Sequence, residues 1–179
     1  KLAFNLEDLN IYLEKKDINI GNILNYEQFK GGQSNPTYLL TSENNKYVLR
    51  RKPPGKLLKS AHAVDREFKV LKALEETNVP VPKVFHLCED DAIVGTMFYI
   101  MEYVEGRIFW DPTLPKVDNK TRGQIYEATN EVLAYLHQVN TEKVGLSDFG
   151  KPGSYFERQV SRWIRQYRSA ETEVYSDVE

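Results

Sequence analysis

The stretch Tyr47-Val48-Leu49-Arg50-Arg51-Lys52-Pro53-Pro54-Gly55 has the composition of a strand that ends in a proline-glycine turn. Successive side chains of a strand point to opposite faces, so Val48 and Arg50 share one face, and Arg51 lies on the other. This strand is the third of five that the apolar pattern and the turn residues predict, at about 24–29, 36–41, 46–51, 83–87 and 98–103.

Helical patterns flank and interrupt these strands. One predicted helix covers about 6–16, with Asn5 as its cap, and another covers about 60–76, between the third and fourth strands. Gly106 marks a break, after which apolar residues recur at helical spacing. We therefore expect an α+β chain. Residues 1–105 would form a five-stranded antiparallel sheet with one inserted helix, and residues 106–179 a hinge followed by helices.

Composition excludes several classes of protein. The 179 residues are 41% hydrophobic and 28% charged, which is typical of a globular domain. A net charge of −2 argues against nucleic acid as a partner, and no apolar run approaches the roughly 18 residues of a membrane span. Cys88 is the single cysteine, which excludes a disulfide and a cysteine-based zinc site within the chain. This favours a reducing, cytoplasmic compartment.

The loop between the first two strands is rich in small and hydroxyl side chains. Gly31 and Gly32 would let backbone amides approach a phosphate group, and Ser34, Asn35 and Thr37 would add polar groups. The alternative is a plain glycine turn, because the loop matches neither a G-x-G-x-x-G nor a Walker pattern.

Glu67 stands out on the inserted helix. It shares a side with Val64 and Leu71, and a half-buried carboxylate is costly unless a cation pairs with it. Arg50 or Arg51 is the expected cation. The alternatives are a solvated arginine at the strand end and a surface pair within the helix.

The last strand, Phe98 to Tyr103, runs into the polar segment that ends at Gly106. Taken alone, this segment is only an edge strand. Five strands with one helix after the third is the order of the nucleotide-binding lobe of kinase-like folds, which this chain resembles. The resemblance implies that backbone groups of Glu102 and Val104 bond the edge of a planar base, with Val48 against its face and Arg50 near its phosphates.

Several segments together resemble the aminoglycoside phosphotransferase family: 31–38, 47–55, 65–71 and 98–106. Within that family, the chain is most similar to the kinase-like N-terminal domain of acyl-CoA dehydrogenase family members 10 and 11 and to bacterial relatives. The narrower likeness is carried by 50–55, 60–62 and 158–163. The resemblance implies a protein-kinase-like N-lobe followed by the first helices of a helical C-lobe.

The resemblance also implies a function. It implies ATP- and magnesium-dependent phosphorylation of a small-molecule hydroxyl, for which a hydroxyacyl-CoA is a plausible acceptor, and a possible fused acyl-CoA dehydrogenase domain downstream. The nucleotide-binding residues it implies are Gly31, Gly32, Ser34, Asn35, Thr37, Val48, Arg50, Glu67, Glu102 and Val104.

The chain departs from the family at the catalytic segment. The family has a His-Gly-Asp triplet, then an Asn and a further Asp, and none of the 179 residues forms that triplet. We therefore expect no catalytic and no metal-binding residues here, and an incomplete C-lobe. The alternative is a non-catalytic nucleotide-binding or regulatory module. Arg50 also occupies the place of the family's usual lysine.

Two further features have competing interpretations. Asp148-Phe149-Gly150 spells the magnesium-binding triplet of protein kinases, yet no aspartate lies between His137 and Asp148, so we expect an ordinary interhelical loop. The alternative is an atypical kinase that uses Asp148 for metal. A stripe of arginines on the last helix favours a solvated face over a site for a phosphate-rich ligand: Arg158, Arg162, Arg165 and Arg168.

Overall fold

A computed structural model describes residues 3–30, 34–55, 62–150 and 153–170. The elements follow in chain order: α1 (Leu6–Lys15), β1 (Ile23–Gln28), β2 (Thr37–Ser42), β3 (Lys46–Arg51), α2 (Val64–Leu74), β4 (Val84–Cys88), α3 (Asp91–Val94), β5 (Phe98–Glu102), α4 (Asn119–Gln138) and α5 (Tyr155–Ala170).

The five strands form one antiparallel sheet in the order β1-β2-β3-β5-β4. This confirms the predicted sheet and its inserted helix, with strand ends within one residue of those expected from the sequence. Chain neighbours β1, β2 and β3 pair as a meander, whereas β5 inserts between β3 and β4. The central strand β3 therefore lies between β2 and β5, and its side chains meet residues from both.

One face of the sheet packs against α1. Asn5 caps that helix, its side chain accepting from the Glu7 amide, as the sequence predicts. Leu9 and Leu13 are buried against the sheet in the larger hydrophobic core. Other buried members of this core include Ile23, Tyr38, Leu40, Leu49, Phe98 and Ile100. Burial of these apolar side chains supplies the main driving force for this half of the fold.

The other face of the sheet packs against α2. Val64 of the helix is fully buried with Val84 and Tyr99, and Phe68 and Leu71 extend this smaller core. The helix begins at Val64, where the sequence pattern predicted a start near residue 60; residues 56–61 lie outside the described residues. Just before the helix, His62 has a φ of 60°, which is not helical.

The helix α3 lies between the fourth and fifth strands, where the sequence pattern predicted no helix. Asp90 caps its first turn by accepting from the Ala92 amide, and Gly95 ends it with a φ of 90°. That left-handed conformation is one that glycine adopts at little cost.

The helices α4 and α5 lie beyond β5. Apolar residues recur at helical spacing along both, yet among the described residues of α4 none is buried. Apolar side chains of α5 are also exposed: Tyr155, Phe156, Val160, Trp163, Ile164 and Tyr167. Within the described part of the chain, no helix is both long and apolar enough to cross a membrane.

Candidate functional site

An ion pair joins the sheet to α2. Arg50 Nε donates to Glu67 Oε2 at 2.6 Å, and Arg50 Nη2 donates to Glu67 Oε1 at 3.3 Å. The two side chains keep 30% and 34% of their surface exposed, so the pair is accessible to a ligand. This confirms the predicted pairing of Glu67 and identifies Arg50, rather than Arg51, as its cation. A bidentate pair fixes the plane of the guanidinium as well as its position.

Two more donors complete the surroundings of Glu67. Asn35 Nδ2 donates to Oε1 at 2.8 Å, and the Tyr99 hydroxyl donates to Oε2 at 3.1 Å. Each carboxylate oxygen therefore accepts from Arg50 and from one neutral donor. These bonds offset the cost of withdrawing the carboxylate from water.

A row of residues across three neighbouring strands explains why these groups meet at Glu67. Thr37 on β2 and Tyr99 on β5 lie directly opposite Arg50 on β3. Residues opposite one another share a face of the sheet, so all three point toward α2. Thr37 Oγ1 accepts from Arg50 Nη1 at 3.0 Å and donates to the Asn35 carbonyl at 3.0 Å. The loop before β2 is thereby tied to the ion pair.

The network shifts the pKa of two of its members. The hydrogen bond to Glu67 raises the pKa of Arg50, and burial, which acts in the opposite direction, does not cancel it. Burial raises the pKa of the Tyr99 hydroxyl, and the charge of Glu67 raises it further. Arg50 therefore remains a cation and Tyr99 remains a neutral donor throughout the physiological pH range.

The residues predicted to contact the base occupy neighbouring positions. Val48 is buried on the same face of β3 as Arg50, two residues away. Glu102 ends β5, and its amide already donates to the Lys83 carbonyl at 2.8 Å, so that amide is not free to bond a ligand. Val104 follows the strand and is exposed. Their role in binding stays a prediction.

The predicted phosphate loop is only partly described. Gly31 and Gly32 lie outside the described residues. Ser34 is exposed, and Asn35 is 5% exposed, with its amide between Glu67 and His62. Asn35 thus serves to hold the end of the loop, a role distinct from the predicted contact with phosphate.

Sequence reasoning missed two members of the network, Tyr99 and His62. Tyr99 meets Glu67 only because β5 pairs with β3 in the observed register, which no local pattern specifies. His62 Nδ1 lies 2.9 Å from Asn35 Oδ1 and depends on an unusual backbone conformation. The signal available for Tyr99 was its alternation with Phe98 and Ile100, which places it on the opposite face from those two core residues.

The Asp148-Phe149-Gly150 triplet lies in the loop between α4 and α5, which confirms the predicted interhelical loop. It docks against the outer side of α2. Asp148 pairs with Lys69 at 2.7 Å, and Arg66 stacks on the Phe149 ring at 4.0 Å and donates to its carbonyl. The hydrogen bond and charge of Lys69 lower the pKa of Asp148. Across the described residues, no group of three or more His, Cys, Asp or Glu side chains could hold a metal ion.

Curated proteins similar to this chain are much longer than it. The chain is 56% identical over 151 residues to a protein of Arabidopsis thaliana assigned as the acyl-CoA dehydrogenase IBR3, covering 82% of this chain and 18% of that protein. It is 52% identical over 145 residues to mouse acyl-CoA dehydrogenase family member 10, covering 81% and 14%, respectively. For human family member 11 the identity is 48% over 147 residues, covering 82% and 19%. The chain thus spans less than a fifth of each of these relatives.

Two solved structures have the same fold as this chain. A crystal structure from Ralstonia eutropha JMP134, assigned as an aminoglycoside phosphotransferase, superposes with a TM-score of 0.80 at 42% identity, covering 96% of this chain and 50% of that one. ADP-bound aminoglycoside phosphotransferase APH(2″)-Ib superposes with a TM-score of 0.62 at 18% identity, covering 94% and 52%, and so shows the same kinase-like fold. The sequence model of the phosphotransferase enzyme family (APH) matches residues 25–178. With its five-stranded sheet and paired Arg50 and Glu67, the chain belongs to this phosphotransferase family.

Proposed function

We propose that this chain binds ATP on the face of the sheet that carries Arg50. The phosphates would lie beside the 31–35 loop and Arg50, and the base between Val48 and the backbone of 102–104. ATP supplies the transferable phosphoryl group, and this chain supplies the groups that orient it.

The geometry of Arg50 is the observation that carries the proposal. A guanidinium has five N–H donors, and three of those in Arg50 are bonded to Glu67 and Thr37. The other two have no partner among the described residues, on a side chain that is partly exposed. A cation held rigidly in this way, with free donors, suits the oxygens of a phosphate.

The described residues are better suited to bind ATP than to bind magnesium. Metal-ligating side chains do not cluster anywhere in the part of the chain that the structure describes, and the only acidic residue of the network, Glu67, already accepts four hydrogen bonds. We therefore assign no magnesium ligand among the residues that the structure describes. ATP binding through Arg50 would proceed with or without the metal, and magnesium would change the affinity only modestly.

Calorimetric titration of ATP into the chain, with and without magnesium, tests this proposal. Arg50→Met should weaken binding at least tenfold, since it removes a charge-assisted contact that can contribute more than about 1.4 kcal/mol. Arg165→Met is the matched control, because Arg165 is an exposed arginine on α5. Equal loss in both variants, or loss in Arg165→Met alone, would instead favour anion binding by the arginine stripe.

We further propose that the parent activity is transfer of phosphate to a small-molecule hydroxyl, with a hydroxyacyl-CoA as the acceptor. Family membership supports phosphotransfer, and the acyl-CoA dehydrogenase names of the relatives support an acyl-CoA substrate and a fused dehydrogenase domain. The division into a nucleotide lobe, 1–105, and a hinge with helices, 106–179, belongs to the same proposal. A titration with a hydroxyacyl-CoA and with the matched acyl-CoA lacking the hydroxyl would test the acceptor; equal binding would argue against recognition of the hydroxyl.

The alternative is a module that binds the nucleotide without turnover. The 179 residues contain no His-Gly-Asp segment, so they supply no catalytic base of the family's kind. We expect no phosphotransfer by this chain, because the base and the metal ligands of the reaction are missing together. An ATP-consumption assay with Asp148→Ala as the control tests this expectation. Turnover that vanished in the variant would instead support an atypical kinase that uses Asp148.

A further inference from the structure

His62 has no part in the function proposed above, yet it touches the network. It lies between the β3–α2 connection and the first turn of α2, and its Nδ1 is 2.9 Å from Asn35 Oδ1. Asn35 is almost fully buried and in turn bonds Glu67. Three side chains thus form a line from His62 through Asn35 to the carboxylate that holds Arg50.

The direction of each hydrogen bond follows from the chemistry of Glu67. A carboxylate only accepts, so the Asn35 group that faces Glu67 must be its NH₂, and Oδ1 must face His62. An amide oxygen also only accepts. The hydrogen of His62 must therefore be on Nδ1, in the neutral and in the charged ring alike. This assigns the tautomer from the network.

The backbone at His62 has an uncommon conformation. Its φ is 60°, in the left-handed region that residues other than glycine seldom adopt, with asparagine, aspartate and histidine as the most frequent exceptions. Its carbonyl accepts from the Val64 amide at 3.0 Å, which holds the turn that starts α2. Strained backbone of this kind persists where surrounding contacts enforce it, and it concentrates at functional sites. Here the enforced conformation accompanies the contact between the imidazole and Asn35.

Asn35 is tied to the ion pair by a second route. Its carbonyl accepts from the Thr37 hydroxyl, and that hydroxyl accepts from Arg50. A displaced Asn35 would therefore disturb both Glu67 and Arg50. Because the amide is buried, it could not replace a lost partner with bulk water at no cost.

We propose that His62 is a positioning residue for phosphate binding, acting through Asn35 on Glu67 and Arg50. The inference rests on the proposed binding of ATP to Arg50. The Nδ1–H of His62 locks the Asn35 amide in the orientation that supports Glu67, and Glu67 then presents the free donors of Arg50. The same contact links the end of the 31–35 loop to the start of α2.

Four variants and one control separate this role from a purely structural one. His62→Phe keeps a planar ring and removes the donor. His62→Asn places an amide nitrogen where Nδ1 lies and tolerates a left-handed backbone, whereas His62→Gln places its nitrogen one bond farther out. His62→Phe is also combined with Asn35→Ala, and His137→Phe on the exposed surface of α4 is the matched control.

We expect His62→Phe to weaken ATP binding about fivefold, which corresponds to the usual net contribution of one hydrogen bond. His62→Asn should restore binding to within about twofold and His62→Gln should not. In the Asn35→Ala background, His62→Phe should have no further effect, because its action passes through Asn35. Wild-type affinity in His62→Phe, or a full additional loss in the double variant, would overturn the proposal.

The tautomer provides a test that needs neither ATP nor a folded variant. A ¹H–¹⁵N spectrum of the histidine rings in the wild-type chain should show the His62 hydrogen on Nδ1. A hydrogen on Nε2 in the neutral ring would overturn the proposal.

A combined result separates this proposal from the proposed ATP site. If the wild-type chain bound no ATP while the Nδ1 hydrogen was observed, and the Asn35 amide signals moved in His62→Phe, the positioning of Asn35 would stand and the proposed ATP site would fail.

Discussion

Arg50 and Arg51 are neighbours in β3, yet they belong to different environments. Arg50 points to the α2 face, where it pairs with Glu67 and remains partly exposed. Arg51 points to the α1 face and is 3% exposed. Its guanidinium lies over the rings of Phe4 and Tyr38, at 5.6 Å and 5.3 Å from their centroids, and donates to the Val94 carbonyl.

The difference shows that the two faces of the sheet have different roles, one in stability and one in ligand binding. On the α1 face, a cation is enclosed by aromatic rings, which stabilises it without making it accessible. On the α2 face, a cation is held by a carboxylate beside open solvent, which leaves donors for a ligand. Substitutions at the two positions should therefore affect different measurements.

The largest effect is expected on the α1 face. Arg51→Ala should lower the free energy of unfolding by about 3 kcal/mol, because it leaves a cavity among Phe4 and Tyr38 and an unpaired Val94 carbonyl. Arg51→Met, which fills much of that volume, should lose far less. Urea unfolding measures both. A loss in Arg51→Ala no greater than in Arg51→Met would show that packing of this side chain matters little.

Arg50→Met should show the reverse pattern. Loss of a partly exposed ion pair should lower the free energy of unfolding by no more than about 1 kcal/mol. The same variant should lose at least tenfold in ATP affinity, for the reason given above. Unfolding and calorimetry on one protein sample measure both. A loss of stability as large as in Arg51→Ala would contradict the division between the two faces.

Tyr99→Phe, on the same face, should give a smaller loss of ATP affinity than Arg50→Met. It removes one hydrogen bond to Glu67 and keeps the ring that packs on Phe68, so about 1 kcal/mol of stability should be lost. ATP affinity should fall less than in Arg50→Met, since Arg50 retains both bonds to Glu67. Calorimetry on the two variants compares them directly, and an equal or greater loss in Tyr99→Phe would be against this ranking.

The attachment of α2 to the sheet should depend on pH. Burial raises the pKa of Glu75, but the hydrogen bonds from Lys72 and the Val84 amide outweigh it and lower the pKa overall. A carboxyl with a lowered pKa in the folded state stabilises the fold above the ordinary glutamate value of about 4.3, and that contribution is lost as the pH falls through the folded pKa.

Glu75→Gln should therefore reduce the decline in stability between about pH 5 and pH 3. Glu76→Gln is the matched control on the adjacent exposed side chain. Urea unfolding at several pH values measures the slope. Parallel curves for the wild type and Glu75→Gln would mean that this carboxyl does not anchor the helix.

The smallest effect is expected outside both faces. Asp148 is exposed, and its ion pair with Lys69 lies on the outer side of α2. Exposed ion pairs contribute little to stability, so Asp148→Asn should leave the unfolding midpoint and the ATP affinity at their wild-type values. A measurable loss of ATP affinity would give the interhelical loop a part in the site that its position does not suggest.

Sequence patterns predicted most of the fold because they are local. The alternation in β2, β3 and β5, the helical stripe of α2 and the cap at Asn5 are all set by residues within a few positions of one another. The pairing of Glu67 with a strand arginine also followed, since a half-buried carboxylate requires a cation and only two were near. The short helix α3 was missed because four residues show no period.

The sequence by itself determined five strands, their faces, and the presence of a paired carboxylate on α2. The tertiary structure decided which partners meet. Strand β5 pairs with β3 although Tyr99 and Arg50 are 49 positions apart in sequence, and only that register places Tyr99 opposite Arg50. The left-handed turn at His62 likewise brings its ring to Asn35, 27 residues away in sequence. Cross-strand register and loop conformation are set by the packing of the whole sheet, which adjacent residues do not specify.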